Sequence, residues 1–505
     1  VRIRRASTGE THDLNAAKLL GAGGEAKVYQ LAENPDWVAK IWHKPTPERV
    51  AKAGAMIRNP PTDPTASIRH SSIAWPVDLV STVGSPPRVL GFVMPFVGGM
   101  SPAFMFFNPK TRREKCPLFN SFYLHRTARN LACAVRAVHD KGYVVGDLNE
   151  SNVLVAETAL VTLVDTDSFQ VWDGEKGEMY RCKVGKPEYT AAEMQGKPFA
   201  KMDRTTDQDA FALGVLIFQL LMEGTHPFAG RYRGRGEPPT YDLRISAGHF
   251  PYSNDPQNPF EPNPIAPPFT GLHPTLQQLF MRCFVDGHIN PSYRPDARSW
   301  QWVLEEAELS LIPCWINDQH LHGGHLGECP WCERTRMLAG RDPFPSKDAV
   351  QKGDHLKPAA IPKQRSRTPT PPTRPSATPK TSPTSPPPLP PRLPANPGRY
   401  IRVGSGTPLR PRTKHVDPRV QKAFAPLGPR NDWAWIGLFF GILAVVAMRL
   451  PGLTFLLAML GLPCAVYGEY ESRGLFLDGK GQWVARVAIF LNIAAFLGYA
   501  MAQAY

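Results

Sequence analysis

Val145-Gly146-Asp147-Leu148-Asn149-Glu150-Ser151-Asn152-Val153-Leu154-Val155, followed by Leu163-Val164-Asp165, sets an Asp, an Asn five residues on, and a second Asp eighteen after the first. Residues of these types at this spacing suit phosphoryl transfer from a nucleotide. One carboxylate receives the proton of an attacking hydroxyl. The Asn and the second carboxylate hold metal ions against the phosphates. Apolar runs flank both acids, Val153 to Val155 and Leu160 to Val164. They read as two short buried strands that set the polar groups at the mouth of a cleft. An ordinary hairpin with a surface Asp and Asn has the same local pattern, so the rest of the chain must decide.

Upstream, Leu19-Leu20-Gly21-Ala22-Gly23-Gly24-Glu25-Ala26-Lys27-Val28-Tyr29 reads as strand, Gly-rich turn, strand. Small residues there let backbone N–H groups close over phosphates. Lys40 follows inside Val38-Ala39-Lys40-Ile41-Trp42, an odd place for a solvated lysine and a suitable one for a phosphate grip. Downstream stand Pro187-Glu188-Tyr189-Thr190-Ala191-Ala192-Glu193, an apolar helix opened by Thr206-Asp207-Gln208-Asp209 and closed by Gly224-Thr225-His226-Pro227, and Asn290-Pro291-Ser292-Tyr293-Arg294-Pro295.

In this order the motifs resemble those of the eukaryotic-like (Hanks-type) Ser/Thr protein kinases, over roughly residues 14–309. Within that superfamily the chain looks most like bacterial kinase-like proteins that carry a small Cys/His module after the kinase lobe. The resemblance implies a two-lobed α+β fold, with an N-terminal antiparallel sheet and one helix above a larger helical lobe. It also implies ATP and Mg²⁺ as ligands. Gly21, Ala22, Gly23, Gly24 and Val28 would then bind nucleotide, with Lys40 on the phosphates. Met94 would be the gatekeeper, and Pro95 to Val97, including Phe96, the adenine hinge. Asp147 would be the base or substrate-orienting acid, and Asn152 and Asp165 the Mg²⁺ ligands. Asp209 would brace the catalytic loop, and Glu193 would pair with Arg294.

The chain departs from that pattern in four places. Asp165 is followed by Thr166-Asp167 rather than Phe-Gly, so Asp167 is free to add a ligand or cap the turn. Gly146 stands where an Arg that receives an activation-loop phosphate is usual, which removes that route of phospho-control. Asn149 replaces a Lys; Lys186, in Gly185-Lys186-Pro187, is a candidate to supply the lost cation from the other side of Asp147. The Glu expected to pair with Lys40 is hard to find: Glu48 is the sole acid between Ile41 and Thr62, and Thr46-Pro47-Glu48 reads as a helix cap and first turn.

At 505 residues, two or three ordered units are expected. Val1 to Asn15 is charged and has no apolar core, so no secretory signal is read, and the kinase-like part is expected in the cytoplasm. Of eight Cys, Cys116, Cys133, Cys182, Cys283 and Cys464 are scattered and read as reduced thiols. The other three cluster with histidines. Cys314-x5-His320 precedes Cys329-Pro330-Trp331-Cys332, a set suited to structural Zn²⁺. His322 and His325 are alternatives to His320 as the fourth ligand. No basic and aromatic stripe accompanies this knuckle, which argues against nucleic acid as a partner.

From Arg341 to Asp432 the composition changes to a Pro, Ser and Thr-rich stretch, expected to be a disordered spacer. It holds 18 Lys+Arg against 5 Asp+Glu, nearly all of the chain's formal +14. The basicity is therefore a linker property and suits an anionic membrane surface. Pro387-x-x-Pro390-x-Arg392 has the form of an SH3-type ligand, although the plain spacer is the preferred reading. Apolar runs follow at about 433–449, 452–468 and 483–502, read as three spans or as one span with a re-entrant hairpin. The basic linker puts their N-terminal side in the cytoplasm and Tyr505 outside.

The expected organisation is thus a kinase-like domain at 1–309, a zinc knuckle at 310–340, a basic linker at 341–432 and an all-α transmembrane module at 433–505. The expected function is an inner- or plasma-membrane kinase that phosphorylates Ser/Thr of protein substrates in bacterial signalling. The alternatives are a nucleotide-binding pseudokinase scaffold and a zinc-knuckle regulator that binds nucleic acid. Oligomeric state is not legible in the sequence.

Overall fold

The computed structural model describes residues 1–357. The spacer beyond them and the three apolar runs at 433–449, 452–468 and 483–502 lie outside the described residues. Among the described residues no helix is long and apolar enough to cross a membrane.

The first lobe is a seven-stranded antiparallel sheet. Its strands are β1 (Arg2–Arg5), β2 (Thr11–Asp13), β3 (Lys18–Ala22), β4 (Ala26–Gln30), β5 (Trp37–Trp42), β6 (Asp78–Thr82) and β7 (Val89–Pro95), in the order β2-β1-β6-β7-β5-β4-β3. The period-2 alternation of strands gives the sheet two apolar faces. Ile3, Ala39, Val80 and Val93 form one. Trp42 and Phe92 form the other, with Ala53 of α1 (Pro47–Arg58) packed on it. Lys40 has the same parity as Trp42 and so shares the face that α1 covers. Gly91 lets β7 come this close to β5, because a Cβ there would lie 1.9 Å from the Lys40 carbonyl oxygen.

Helix α1 starts where the sequence places it. The Thr46 hydroxyl accepts from the Arg49 N–H at 3.2 Å, and Pro47 occupies the first turn, where its missing N–H costs nothing.

The second lobe is mainly helical. The long helix α2 (Ser121–Asp140) is capped by Asn120, whose side-chain oxygen accepts from the Phe122 N–H at 3.1 Å. It turns Leu124, Ala128, Leu131, Val135 and Val138 into the core. Two short strands follow, β8 (Val153–Val155) and β9 (Val161–Leu163), as the flanking apolar runs predict, and they pair antiparallel. Helix α3 (Thr206–Leu221) is buried on every side from Asp209 onward, and a Thr205/Gln208 capping box starts it. Helix α4 (Ala297–Leu309) closes against α2, with Arg126 bonded to Glu308 and Arg129 to Glu305 at the seam.

The Cys/His segment is a small module: a hairpin of β10 (Leu311–Pro313) and β11 (Leu321–Gly323), then helix α5 (Pro330–Met337). Its packing runs past residue 340, the boundary read from composition. Asp342 contacts His320, and the fully buried Phe344 lies under the Arg112 guanidinium and edge-on to Trp331. A single aromatic inside a polar, Pro-containing stretch leaves little trace in composition, so composition places the boundary too early.

Candidate active site

A cavity of about 910 Å³ opens beneath the β3–β4 turn. Gly21, Ala22, Gly23, Gly24 and Val28 line its roof, while Lys40, Asp165 and Asp167 line its base. The turn is held at its tip, where the Gly23 N–H donates to the Ala26 carbonyl at 2.9 Å. Met94 pairs with Val38 across β5 and β7, and the Phe96 N–H donates to the Asp36 carbonyl at 2.8 Å, so the expected hinge leaves the sheet at the end of β7.

Lys40 is mostly buried and lies 2.7 Å from Asp165 and 2.5 Å from Asp167. Burial alone would lower its pKa, but the charges of Asp167 and Asp165 outweigh that and raise it. Here the missing helix acid is accounted for. Glu48 pairs with Lys183 at 2.7 Å instead of with Lys40, and Asp167 supplies the carboxylate beside Lys40. Sequence reasoning places Asp167 on the metal loop but not on Lys40. Its position after Thr166 is the available signal, since that slot is where a Gly is usual in the resembling family.

The metal loop is anchored differently too. The Thr166 hydroxyl donates to the Ala74 carbonyl at 2.7 Å and is buried, so a polar bond holds the place where an aromatic would pack. Asp165 itself has φ +57°, a left-handed conformation that few non-Gly residues adopt and that often marks functional positions.

Asp147 sits between two amides. The Asn149 amide nitrogen donates to Oδ1 at 2.9 Å, and that of Asn152 to Oδ2 at 3.1 Å. Burial pushes the Asp147 carboxyl above its usual range, against the opposing pull of both amides and of the Lys186 charge. With its nitrogen turned to Asp147, Asn152 keeps its side-chain oxygen for another partner. That oxygen and the half-exposed Asp165 carboxylate form a hard-oxygen donor set, the chemistry Mg²⁺ prefers.

The loop is braced from below. Asp209 accepts from the Val145 N–H at 2.6 Å, the Gly146 N–H at 2.8 Å and the His139 ring at 2.9 Å. Glu193 and Arg294 form the expected bidentate pair, 2.7 Å at both ends. The Lys186 ammonium rests on Glu150 at 2.9 Å and on the Ser151 hydroxyl at 3.0 Å, so its direct partners are the neighbours of Asn149 rather than Asp147 itself.

Sequence alone does not single out Arg204, because it lies in a polar loop, near Lys197 and Lys201, without distinctive spacing. Its guanidinium donates to the Gly146 carbonyl and, at 2.5 Å, to the Val184 carbonyl, and it stacks 4.0 Å above Phe199. It ties the catalytic loop to the segment after the metal loop through neutral acceptors.

Away from the cleft, Cys314, His320, Cys329 and Cys332 converge, their ligand atoms all within 4.8 Å of one another. The His320 Nδ1 lies 3.5 Å from the Cys332 sulfur and 3.7 Å from that of Cys329. Its Nε2 is 2.8 Å from Asp342, which fixes the ring so that Nδ1 faces the thiols. His322 and His325 do not join the group.

The comparisons agree with this geometry. The sequence profile of the protein kinase domain matches residues 14–284. The chain is similar to Protein kinase YegI of Escherichia coli K12, 33% identical over 328 residues, covering 65% of this chain and 49% of the relative. The O157:H7 form of that protein is 32% identical over the same length and shares. A probable cAMP-dependent protein kinase catalytic subunit of Encephalitozoon cuniculi is 28% identical over 158 residues, covering 31% of this chain and 40% of that protein. The chain spans about half the length of the YegI relatives it matches.

Proposed function

This chain belongs to the eukaryotic-like protein kinase family, and from that premise we propose that it transfers the γ-phosphoryl group of ATP to Ser or Thr hydroxyls of protein substrates. The observation that carries the reading is a cavity beneath a Gly-rich turn lined by Lys40 and Asp165, with Asp147, bonded to Asn152, close enough for the Asp165 charge to act on it. In this reading the Asp147 carboxylate, raised in pKa by burial, orients the acceptor hydroxyl and takes up its proton. Asn149 and Asn152 keep that carboxylate from rotating. Lys40 orients the nucleotide phosphates. Asn152 and Asp165 would hold Mg²⁺, which supplies charge neutralisation when bound. The test is transfer of radiolabelled γ-phosphate by the full chain, to itself and to a panel of proteins. ATP binding without any transfer would make the protein a nucleotide-binding scaffold instead.

The Cys314, His320, Cys329 and Cys332 group is proposed to hold a structural Zn²⁺. Four N/S donors leave no open position for chemistry, and Asp342 already orients the histidine. Ligand loss in such a module is a folding loss as well. Cys329→Ser is therefore expected to lower bound zinc from one equivalent to near none and to expose residues 311–344 to proteolysis. Protein purified without chelators that contains no zinc by elemental analysis would refute the assignment. The apolar runs after residue 432, with the basic stretch before them, support a membrane anchor whose kinase part faces the cytoplasm. Recovery of the full chain in the soluble fraction after cell lysis would refute the anchor.

A further inference from the structure

The nucleotide cavity contains a cation that none of the preceding roles uses. Lys52 lies midway along α1, on the turn after Glu48, and lines the cavity together with the Gly-rich turn, Asp165 and Asp167. A second, smaller recess between α1 and the metal loop is lined by Lys52 as well. Apart from Lys44, which is exposed to solvent, the neighbouring cations are already matched. Lys40 has Asp165 and Asp167, Arg49 has Glu25 at 2.8 Å, and Lys183 has Glu48 at 2.7 Å. Lys52 makes no hydrogen bond or ion pair among the described residues.

Lys52 is half-buried in the cavity wall, and a partly desolvated ammonium without a protein partner is a group that an anionic ligand would complete. Burial pushes the Lys52 pKa down to about 8, with Asp167 the main opposing charge. The group stays mostly charged at neutral pH, and an anion beside it would raise the pKa again.

Two features of the site call for such a cation. Asn149 occupies a position where the resembling kinases carry a Lys, and the nearby Lys186 is engaged by Glu150. Helix α1 presents Lys52 to the cavity, while its acid, Glu48, which also lines the cavity, is neutralised there by Lys183.

We propose that Lys52 is a second phosphate-binding cation of the nucleotide site, delivered from α1, and that a nucleoside di- or triphosphate is the ligand that completes its charge. This rests on the nucleotide-binding reading above. In the cavity, Asp167 then provides the carboxylate for Lys40, while α1 contributes positive rather than negative charge to the phosphates.

The experiment is calorimetric titration of the full chain with MgATP, MgADP and adenosine. Removing one charge-assisted hydrogen bond to a phosphate lowers affinity by roughly ten- to a hundredfold. Lys52→Gln is expected to weaken MgATP and MgADP by about that factor and to leave adenosine binding unchanged. Lys52→Arg is expected to retain most of the phosphate-dependent affinity. Equal affinity of Lys52→Gln and the wild type for MgATP would overturn the proposal. So would an equal loss for adenosine, which would mean that Lys52 only supports the fold of the cleft. A wild-type chain that binds MgATP no better than adenosine would instead remove the nucleotide reading on which the proposal stands.

Discussion

Asp165→Ala is expected to reduce phosphoryl transfer by a factor on the order of a thousand, the upper range for loss of one preorganised charge at a transition state. Two consequences separate this substitution from a general disturbance. The first is metal dependence. Asp165 is half-exposed at the cleft mouth and shares the oxygen donor set with Asn152, so its loss should also remove the Mg²⁺-dependent part of nucleotide affinity. The second is a contrast with Asp147→Asn. That change keeps the shape of the side chain and leaves Asp165 in place. It should abolish turnover and leave MgATP affinity within a fewfold of wild type, because Asp147 acts on the acceptor rather than on the nucleotide. Stability should change little in Asp165→Ala. Lys40 keeps Asp167 at 2.5 Å, so no buried ammonium is left alone. Titration by calorimetry and single-turnover transfer measure both quantities. Transfer by Asp165→Ala at the wild-type rate would remove Asp165 from the proposed chemistry.

Lys40 also shows where sequence reading works and where it stops. A lysine flanked by Val38, Ala39 and Ile41 is legible as functional because the strand alternation buries a charge that solvation alone would not permit. Asp147, Asn152 and Asp165 are legible for a similar reason, since two short apolar strands fix their spacing. The partner of Lys40 is not legible. It comes from 127 residues away, and the local candidate, Glu48, is drawn off by Lys183 on the segment beyond the metal loop. Spacing encodes contacts within a loop or a helix; it does not encode which of two acids a third element will claim. The same holds for Asp342 and Phe344. Their contacts, to His320 and to Arg112 and Trp331, are made across chain separations that composition cannot report. The cysteine pair Cys329 and Cys332 is readable because both ligands lie on one short turn. His320 is readable as the preferred of three candidates, and the hairpin of β10 and β11 sets its distance to the thiols.

Gly146→Ala, the addition of a single methyl group, is expected to cost about 2–4 kcal/mol of stability and most of the turnover. Gly146 has φ +77°, so any side chain there carries backbone strain. The space is also taken. A Cβ would lie 2.7 Å from both the Cβ and the sulfur of Cys182 and 3.2 Å from the Arg204 guanidinium. Cys182 is fully buried, and Arg204 is held by the Val184 carbonyl, by Gln170 through its backbone and by stacking on Phe199, so neither can step aside cheaply. The strain would fall on the residue that precedes Asp147 and on the two N–H groups that Asp209 braces, which is why turnover should fall with stability. Gly146→Arg, which would restore the side chain common at this position in the resembling kinases, should be worse, because Cys182 and the Arg204 guanidinium already crowd the first atom of any side chain there. The arrangement gives the loop a fixed tie to Val184 that needs no phosphate, since both acceptors of Arg204 are carbonyls. Differential scanning calorimetry should show a fall of several degrees for Gly146→Ala. Adding Cys182→Ala should return part of it by relieving the overlap, but not the part due to φ. A Gly146→Ala protein that melts within a degree of wild type would show that the loop relaxes without cost and that the tie through Arg204 is not rigid.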